Sequence, residues 1–342
     1  MNAPAHSIRA RALRTTTSAD ARPMSDVVKG PMLGGMTRRE LHVVPVPGPG
    51  AEDVLIGHDG TAYTGCADGA IYAVRADGGE PWRVGATGGR PLGLERLPEG
   101  RILICDAHRG LLDMALDSGE VRVLADRVDG IPMRFCNNAA VSDDGTIWFT
   151  DSSTKWGIEE WKSDLIDDTC TGRLLKLLPG GQPEVVLDGL SFANGVALAS
   201  DQSFVVVAET GHRRLRRYYR TGPLAGNADV FAADLPAHPD NIAGGSDGLI
   251  WVTSASPADA PLARLQKSPK AIRTVVRRLP ERLKPTPQRT VRVAAYDDLG
   301  QVVHDVETDA THWHMATGVR EHDGRVWLGS LVEPALAWFD LA

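Results

Sequence analysis

Long apolar runs are missing from this sequence: no stretch approaches the roughly 18 uninterrupted apolar residues of a membrane-spanning helix. A basic surplus is missing too. Lys and Arg number 37 against 44 Asp and Glu, a net charge of −7, which argues against a surface built to hold nucleic acid. Cysteine is scarce. Cys66, Cys105, Cys136 and Cys170 lie in or beside strand-like runs with no C-x-x-C pair, too few for a disulfide scaffold in 342 residues and wrongly spaced for a zinc module. Buried free thiols in a reducing cytoplasm are the expectation. Residues 1–36 carry Arg9, Arg11 and Arg14 with no apolar stretch behind them, so they do not read as a secretory signal. They are expected to form a solvated, disordered tail, with Met24 and Met36 as alternative starts.

What is abundant is turn chemistry. Gly (36) and Pro (22) make up about a sixth of the chain, which suits many short strands joined by tight turns. An acidic turn followed by a β-rich run occurs six times, at Asp59, Glu99, Asp144, Asp201, Asp247 and Asp323. In five copies a Gly follows the acid, the strongest short-range hairpin signal; the fourth has Gln202 instead. The spacings of 40, 45, 57, 46 and 76 residues are blade-sized with insertions. Four antiparallel strands per unit around an axis describe an all-β, six-bladed β-propeller over residues 37–342. The terminal runs ELHVVPVP and ALAWFDL are expected to pair in one blade and close the ring, removing two exposed edges.

Equivalent positions of such a ring lie at similar height around its axis. Seven residues before the six acidic turns stand Glu52, Leu92, Asn137, Asn194, Asp240 and Ala316. Four of these carry oxygen-bearing side chains among apolar neighbours. Two carboxylates and two carboxamides offer only oxygen, the preference of hard cations, and the lack of Cys and His argues against a zinc-type set. The expectation is an axial Ca²⁺ site, with Mn²⁺, Mg²⁺ and Zn²⁺ as alternatives. Asn241 would add a further oxygen, and Asn138 would orient Asn137.

Residues about 258–292 interrupt the fifth repeat. They hold Arg264, Lys267, Lys270, Arg273, Arg277, Arg278, Arg282 and Lys284, with Ile272, Val275, Val276 and Leu279 at helical spacing. A short basic helical insertion follows, read as a lid or brace on one propeller face, the alternative being a membrane-surface helix.

The runs GGRPLGLERLPEGRILICDAHRGLL, RFCNNAAVSDDGTIWFTDSS, LSFANGVALASDQSFVVVAET and LPAHPDNI resemble the strictosidine-synthase-like propellers, from about residue 50 to the C-terminus. That family belongs with the gluconolactonase, regucalcin and paraoxonase-like lactonases. The resemblance places metal ligands at Glu52, Asn137, Asn194 and Asp240, with Asn241 joining them in the paraoxonase-like pattern. It also exposes departures. The catalytic Glu of plant strictosidine synthase falls on Thr317, and the first member of the paraoxonase-like His dyad falls near Leu92, with His108 near the second.

The leading expectation is therefore metal-dependent hydrolysis of a small-molecule lactone or related ester. Asp240 would serve as ligand and base, with His108, Asp151, His212, His238 and His314 as further candidates for proton transfer. Two other classes stay open: a lyase, isomerase or condensing enzyme on the same scaffold, or a metal-stapled binding propeller without catalysis.

Overall fold

In the computed structural model, residues 35–75, 79–284 and 286–342 are described. They form six four-stranded antiparallel blades, the first five running from innermost to outermost strand in chain order. The sequence expectation for the tail over residues 1–34 lies outside the described residues. Blade 1 is built from Leu55–Ile56, Ala62–Gly65, Ala70–Val74 and Trp82–Ala86. Blades 2 to 5 open on Pro91–Leu97, Cys136–Val141, Ala193–Leu198 and Ala237–Gly244. Blade 6 takes Ala316–His322, Arg325–Ser330 and Ala335–Asp340, and its outer strand is His42–Pro45 from the other end of the chain, pairing His42 with Trp338. The ring closes as the terminal runs foretold. Thr37–Arg38 adds a parallel strand to the rim of blade 5.

The repeated acidic turns explain why these runs fold into hairpins. Asp59, Asp144, Asp201 and Asp247 each accept a backbone N–H two residues on through Oδ1, at 2.8–3.0 Å. Gln202, standing where the other copies have glycine, holds the left-handed conformation at φ 57°. Between the blades pack runs of β-branched and aliphatic side chains such as Val205, Val207, Leu174 and Val196, all fully buried.

Three helices stand on one face: α1 (Trp161–Asp167), α2 (Ala260–Gln266) and α3 (Lys270–Arg277). The insertion thus forms two helices rather than one. The Asp259 side chain caps α2 by accepting from Leu262 N at 3.3 Å. No helix among the described residues is long and apolar enough to cross a membrane. Cys66, Cys105 and Cys136 are buried free thiols, and Cys170 is half-buried and also free.

Candidate metal centre

The innermost strands of five blades break their register near the axis. In blades 2 to 6 the ladder skips two residues, between Pro91 and Leu94, Cys136 and Ala139, Ala193 and Val196, Pro239 and Ile242, and Ala316 and Val319. Bulges re-aim side chains, and here each puts one residue into the central cavity and the next between blades. The first members are Leu92, Asn137, Asn194, Asp240 and Thr317, joined by Glu52 from blade 1, and all six line the cavity. The sixth position is Thr317, not Ala316. Val141 and Ile147 pair across residues 142–146, whereas Glu321 and Val326 pair across 322–325, so the last turn is one residue shorter and a fixed count back overshoots.

The second members alternate. Asp53 and Asn138 accept backbone N–H groups of the following blade, Leu94 N at 2.8 Å and Val196 N at 3.0 Å. Asn241 instead donates from Nδ2 to Glu52 Oε1 at 3.2 Å. Between them stand Gly93, Gly195 and Gly318. A Cβ at Gly195 would come within 2.1 Å of Ile242 N, and one at Gly318 within 2.5 Å of Asp53 Cα. Blade therefore meets blade backbone to backbone, which brings the six cavity-facing positions together.

The polar floor is short of partners. Glu52 Oε2, Asn137 Oδ1, Asn194 Oδ1 and Asn241 Oδ1 are buried without any hydrogen bond, a costly arrangement in a protein interior. The amide ends are fixed. Asn137 Nδ2 donates to Ser152 Oγ at 2.9 Å and Asn194 Nδ2 to Thr210 Oγ1 at 3.2 Å, leaving each carbonyl oxygen free. The carboxylates have only partial support, Glu52 from the Asn241 amide and Asp240 from Asn194 and the Asn241 backbone. Burial, with Asp53 and Asp240 nearby, drives Glu52 well above the ordinary carboxyl range, and burial lifts Asp240 to about 7. Asp240 keeps some accessible surface as part of the cavity wall, yet protein surrounds it. Three orphaned amide oxygens beside two carboxylates that burial disfavours fit an oxygen-coordinated divalent cation, which Glu52, Asn137, Asn194 and Asp240 would hold with Asn241 behind Glu52.

Above this floor the cavity, about 870 Å³ with its mouth, is walled by Leu92, Phe135, Phe192, Trp161, Leu165, Ile166, Leu262 and Met315. Leu262 of α2 packs with Leu165 and Ile166 of α1, and Val276 of α3 lies against the same cluster. Gln266 Nε2 donates to Leu165 O at 2.9 Å, and Arg277 pairs with Asp167 at 3.4 Å while covering the Trp156 ring. The insertion thus lies over the cavity as a lid or brace. Its apolar stripe splits, with Val276 turned inward and Ile272 and Val275 50% and 64% exposed.

Of the sequence candidates for proton transfer, Asp240 and His238 line the cavity; His108, Asp151, His212 and His314 do not. His108 is exposed and meets Glu159 at 2.7 Å. His314 pairs with Glu333. His212 sits between Asp168 and Glu209. Asp151 belongs to a second repeat position: Asp106, Asp151 and Glu209 each accept the backbone N–H that leads into an inner strand, from Arg90, Phe135 and Ser191. Asp151 also holds Arg173 at 2.9 Å, so its carboxylate is committed to the scaffold.

His238 differs from all of these. It is buried, its Nδ1 lies 2.9 Å from the carbonyl oxygen of Thr210, and its Nε2 has no partner. A carbonyl can only accept, so Nδ1 carries the proton and Nε2 presents a lone pair. Burial also lowers its pKa, keeping the ring neutral.

Comparison with known proteins agrees with this architecture. The strictosidine synthase family profile matches residues 137–223. The adipocyte plasma membrane-associated protein of Rattus norvegicus is 31% identical over 305 residues, covering 82% of this chain and 80% of that protein. Among solved structures, a gluconolactonase of Xanthomonas campestris superposes with a TM-score of 0.65 at 17% identity, covering 88% of this chain and 89% of its own. A calcium-binding regucalcin of Agrobacterium tumefaciens superposes with a TM-score of 0.64 at 14% identity, covering 90% and 95%. The strictosidine synthase-like 10 protein of Arabidopsis thaliana is 34% identical over 269 residues, covering 74% of this chain and 70% of that protein, and by this likeness the chain belongs to the strictosidine synthase-like family.

Proposed function

We propose that the axial cavity is the active site of a divalent-cation-dependent hydrolase, acting on a lactone or related ester with an apolar substituent. The carrying observation is the pairing of three unpartnered buried oxygens on residues of the floor, Glu52 Oε2, Asn137 Oδ1 and Asn194 Oδ1, with an unpartnered Nε2 on His238, which lines the same cavity. A hard cation such as Ca²⁺, when bound, supplies Lewis acidity that polarises the carbonyl oxygen and steadies the charge it gains. Glu52, Asn137, Asn194 and Asp240 would hold it.

His238 then acts as the base. Its Nε2 takes a proton from the attacking water as the new C–O bond forms, and returns it to the alkoxide oxygen as the ester C–O bond breaks. Asp240 has one task, as ligand, rather than the two the sequence suggested. The walls set the substrate. Phe135, Phe192, Trp161, Leu165 and Leu262 offer apolar contact and little that would hydrogen-bond a polyhydroxylated ring. Two structural neighbours, named as a gluconolactonase and as a calcium-binding protein, are consistent with the chemistry, while the apolar walls favour a less polar substrate.

The test is a panel of lactones and esters, from sugar lactones to long-chain and aryl-substituted ones, assayed with chelator-stripped protein. Ca²⁺, Mn²⁺, Mg²⁺ or Zn²⁺ is then added back separately. Cation-dependent turnover biased toward the apolar members is expected. Stoichiometric cation binding with no turnover on any member would instead favour a lyase, a condensing enzyme or a metal-stapled binding propeller.

A further inference from the structure

A different set of ligand-type atoms gathers outside the cavity, where α1 ends. Asp168 closes the helix in the left-handed conformation, Cys170 leads into the blade 3 strand Gly172–Leu177, and His212 arrives from the turn after Phe204–Glu209 in blade 4. One atom of each, a carboxylate oxygen, the thiol sulfur and a ring nitrogen, lies within 4.8 Å of the other two.

The spacings within the set are informative. His212 Nε2 is 3.3 Å from Asp168 Oδ1, longer than the roughly 2.7–2.9 Å of a charge-assisted hydrogen bond. Cys170 Sγ is 3.6 Å from the same oxygen. In a tetrahedral zinc site with bonds of about 2.0 Å to N and O and 2.3 Å to S, the ligand-to-ligand edges are about 3.3 Å for N···O and 3.5 Å for S···O. Both observed separations match such edges.

The surroundings orient the ligands. Glu209 is fully buried, and its Oε1 lies 2.9 Å from His212 Nδ1, so the ring donates there and turns Nε2 toward Asp168 and Cys170. A carboxylate behind the imidazole in this way fixes the ring for a metal at its other nitrogen. Ser191 Oγ donates to Asp168 Oδ1 at 2.6 Å and anchors the carboxylate.

We propose that Asp168, Cys170 and His212 form a zinc-type site, distinct in place and in ligand chemistry from the axial oxygen site. Binding releases the thiol proton of Cys170 and any proton on His212 Nε2 to solvent. The ion then sits between a carboxylate, a thiolate and a neutral imidazole, with a fourth position open to water. Thiolate and imidazole select zinc over calcium. The site ties the end of α1, whose Trp161, Leu165 and Ile166 wall the cavity, to blades 3 and 4.

Cobalt reports on this site without any assay of turnover. Reduced, chelator-stripped full-length protein is titrated with Co²⁺ and followed by absorption. The expected result is a thiolate-to-cobalt charge-transfer band with tetrahedral d–d bands, saturating at one equivalent. Zn²⁺ should discharge them and excess Ca²⁺ should not. The oxygen-only axial set cannot give a thiolate band, so failure here leaves the hydrolase reading untouched. Folded Cys170→Ser should lack the band, and His212→Asn should bind Zn²⁺ at least tenfold more weakly. With the axial site held by excess Ca²⁺, Zn²⁺ should raise the Tm of the native protein further and not that of Cys170→Ser. No thiolate band in the native protein, a band that persists in Cys170→Ser, or an equal Zn²⁺ shift in both proteins overturns the proposal and leaves His212 as an ion-pair partner only.

Discussion

The imidazole of His238 donates from Nδ1 to the carbonyl oxygen of Thr210 at 2.9 Å, which leaves Nε2 buried and unpartnered on a residue of the axial cavity wall. A base positioned in this way contributes about 10²–10⁴-fold to turnover. His238→Gln should lower kcat by that range on the best ester or lactone while cation affinity, measured by calorimetry, stays within a few-fold. Burial depresses the ring's pKa, so the acid limb of kcat/KM should fall below the roughly 6.5 of an ordinary histidine. An acid limb at or above that value would point to a different base.

The axial ligands should separate from the base in their effects. Glu52→Gln or Asp240→Asn removes a carboxylate from a floor with two, and should weaken cation binding at least a hundredfold. In the native protein, saturating cation raises Tm because it binds only the folded state. In either variant that rise should disappear in a melting experiment, whereas in His238→Gln it should persist.

The acidic turns made the blade number legible, because in four of them an Asp fixes its own hairpin through a local hydrogen bond. The axial register was legible for the same reason, failing only in blade 6, where the turn is one residue shorter. His238 was within reach. It stands two residues before Asp240 on a strand, a spacing that puts both side chains on one face. What singles it out is the Thr210 carbonyl from the neighbouring blade, and no local pattern reports that contact. Asp151 drew attention as a carboxylate after a strand, yet that repeat position serves the scaffold in three blades.

The alternation of glycine with Asp or Asn between blades has a stability consequence. Asn138→Ala strips the buried Val196 N–H of its acceptor, which should cost about 1–3 kcal/mol in denaturant unfolding. Gly195→Ala forces a methyl group against the Ile242 backbone, where no flexible side chain can give way, and should cost a similar ~1–3 kcal/mol. Unchanged midpoints in both would mean that the blades do not depend on this contact.

The lid residue Leu262 should act on substrate choice. It packs against Leu165, Ile166 and Phe192 at the cavity wall. Leu262→Ala removes apolar surface that only a bulky substituent reaches. KM should therefore rise for long-chain or aryl substrates, by about 10–200-fold at most, and change little for small lactones. An equal rise across the panel would indicate a collapsed wall rather than a lost contact.

The floor carboxylates also link stability to pH. Burial raises Asp240 from the ordinary aspartate range to about 7 in the folded protein. A raised carboxyl pKa means that the folded state prefers the proton. The associated stability is fully present below about pH 4, the unfolded value, and is lost as pH climbs through about 7. Metal-free native protein should accordingly lose stability relative to Asp240→Asn between those limits, the difference cancelling effects of other groups. Bound cation replaces the proton as the partner of the carboxylate. Saturating Ca²⁺ should therefore offset the loss that builds up across that window, and its affinity should weaken as pH falls. Chelator-treated protein whose difference from Asp240→Asn is constant across that window would show that Asp240 is already compensated without a cation.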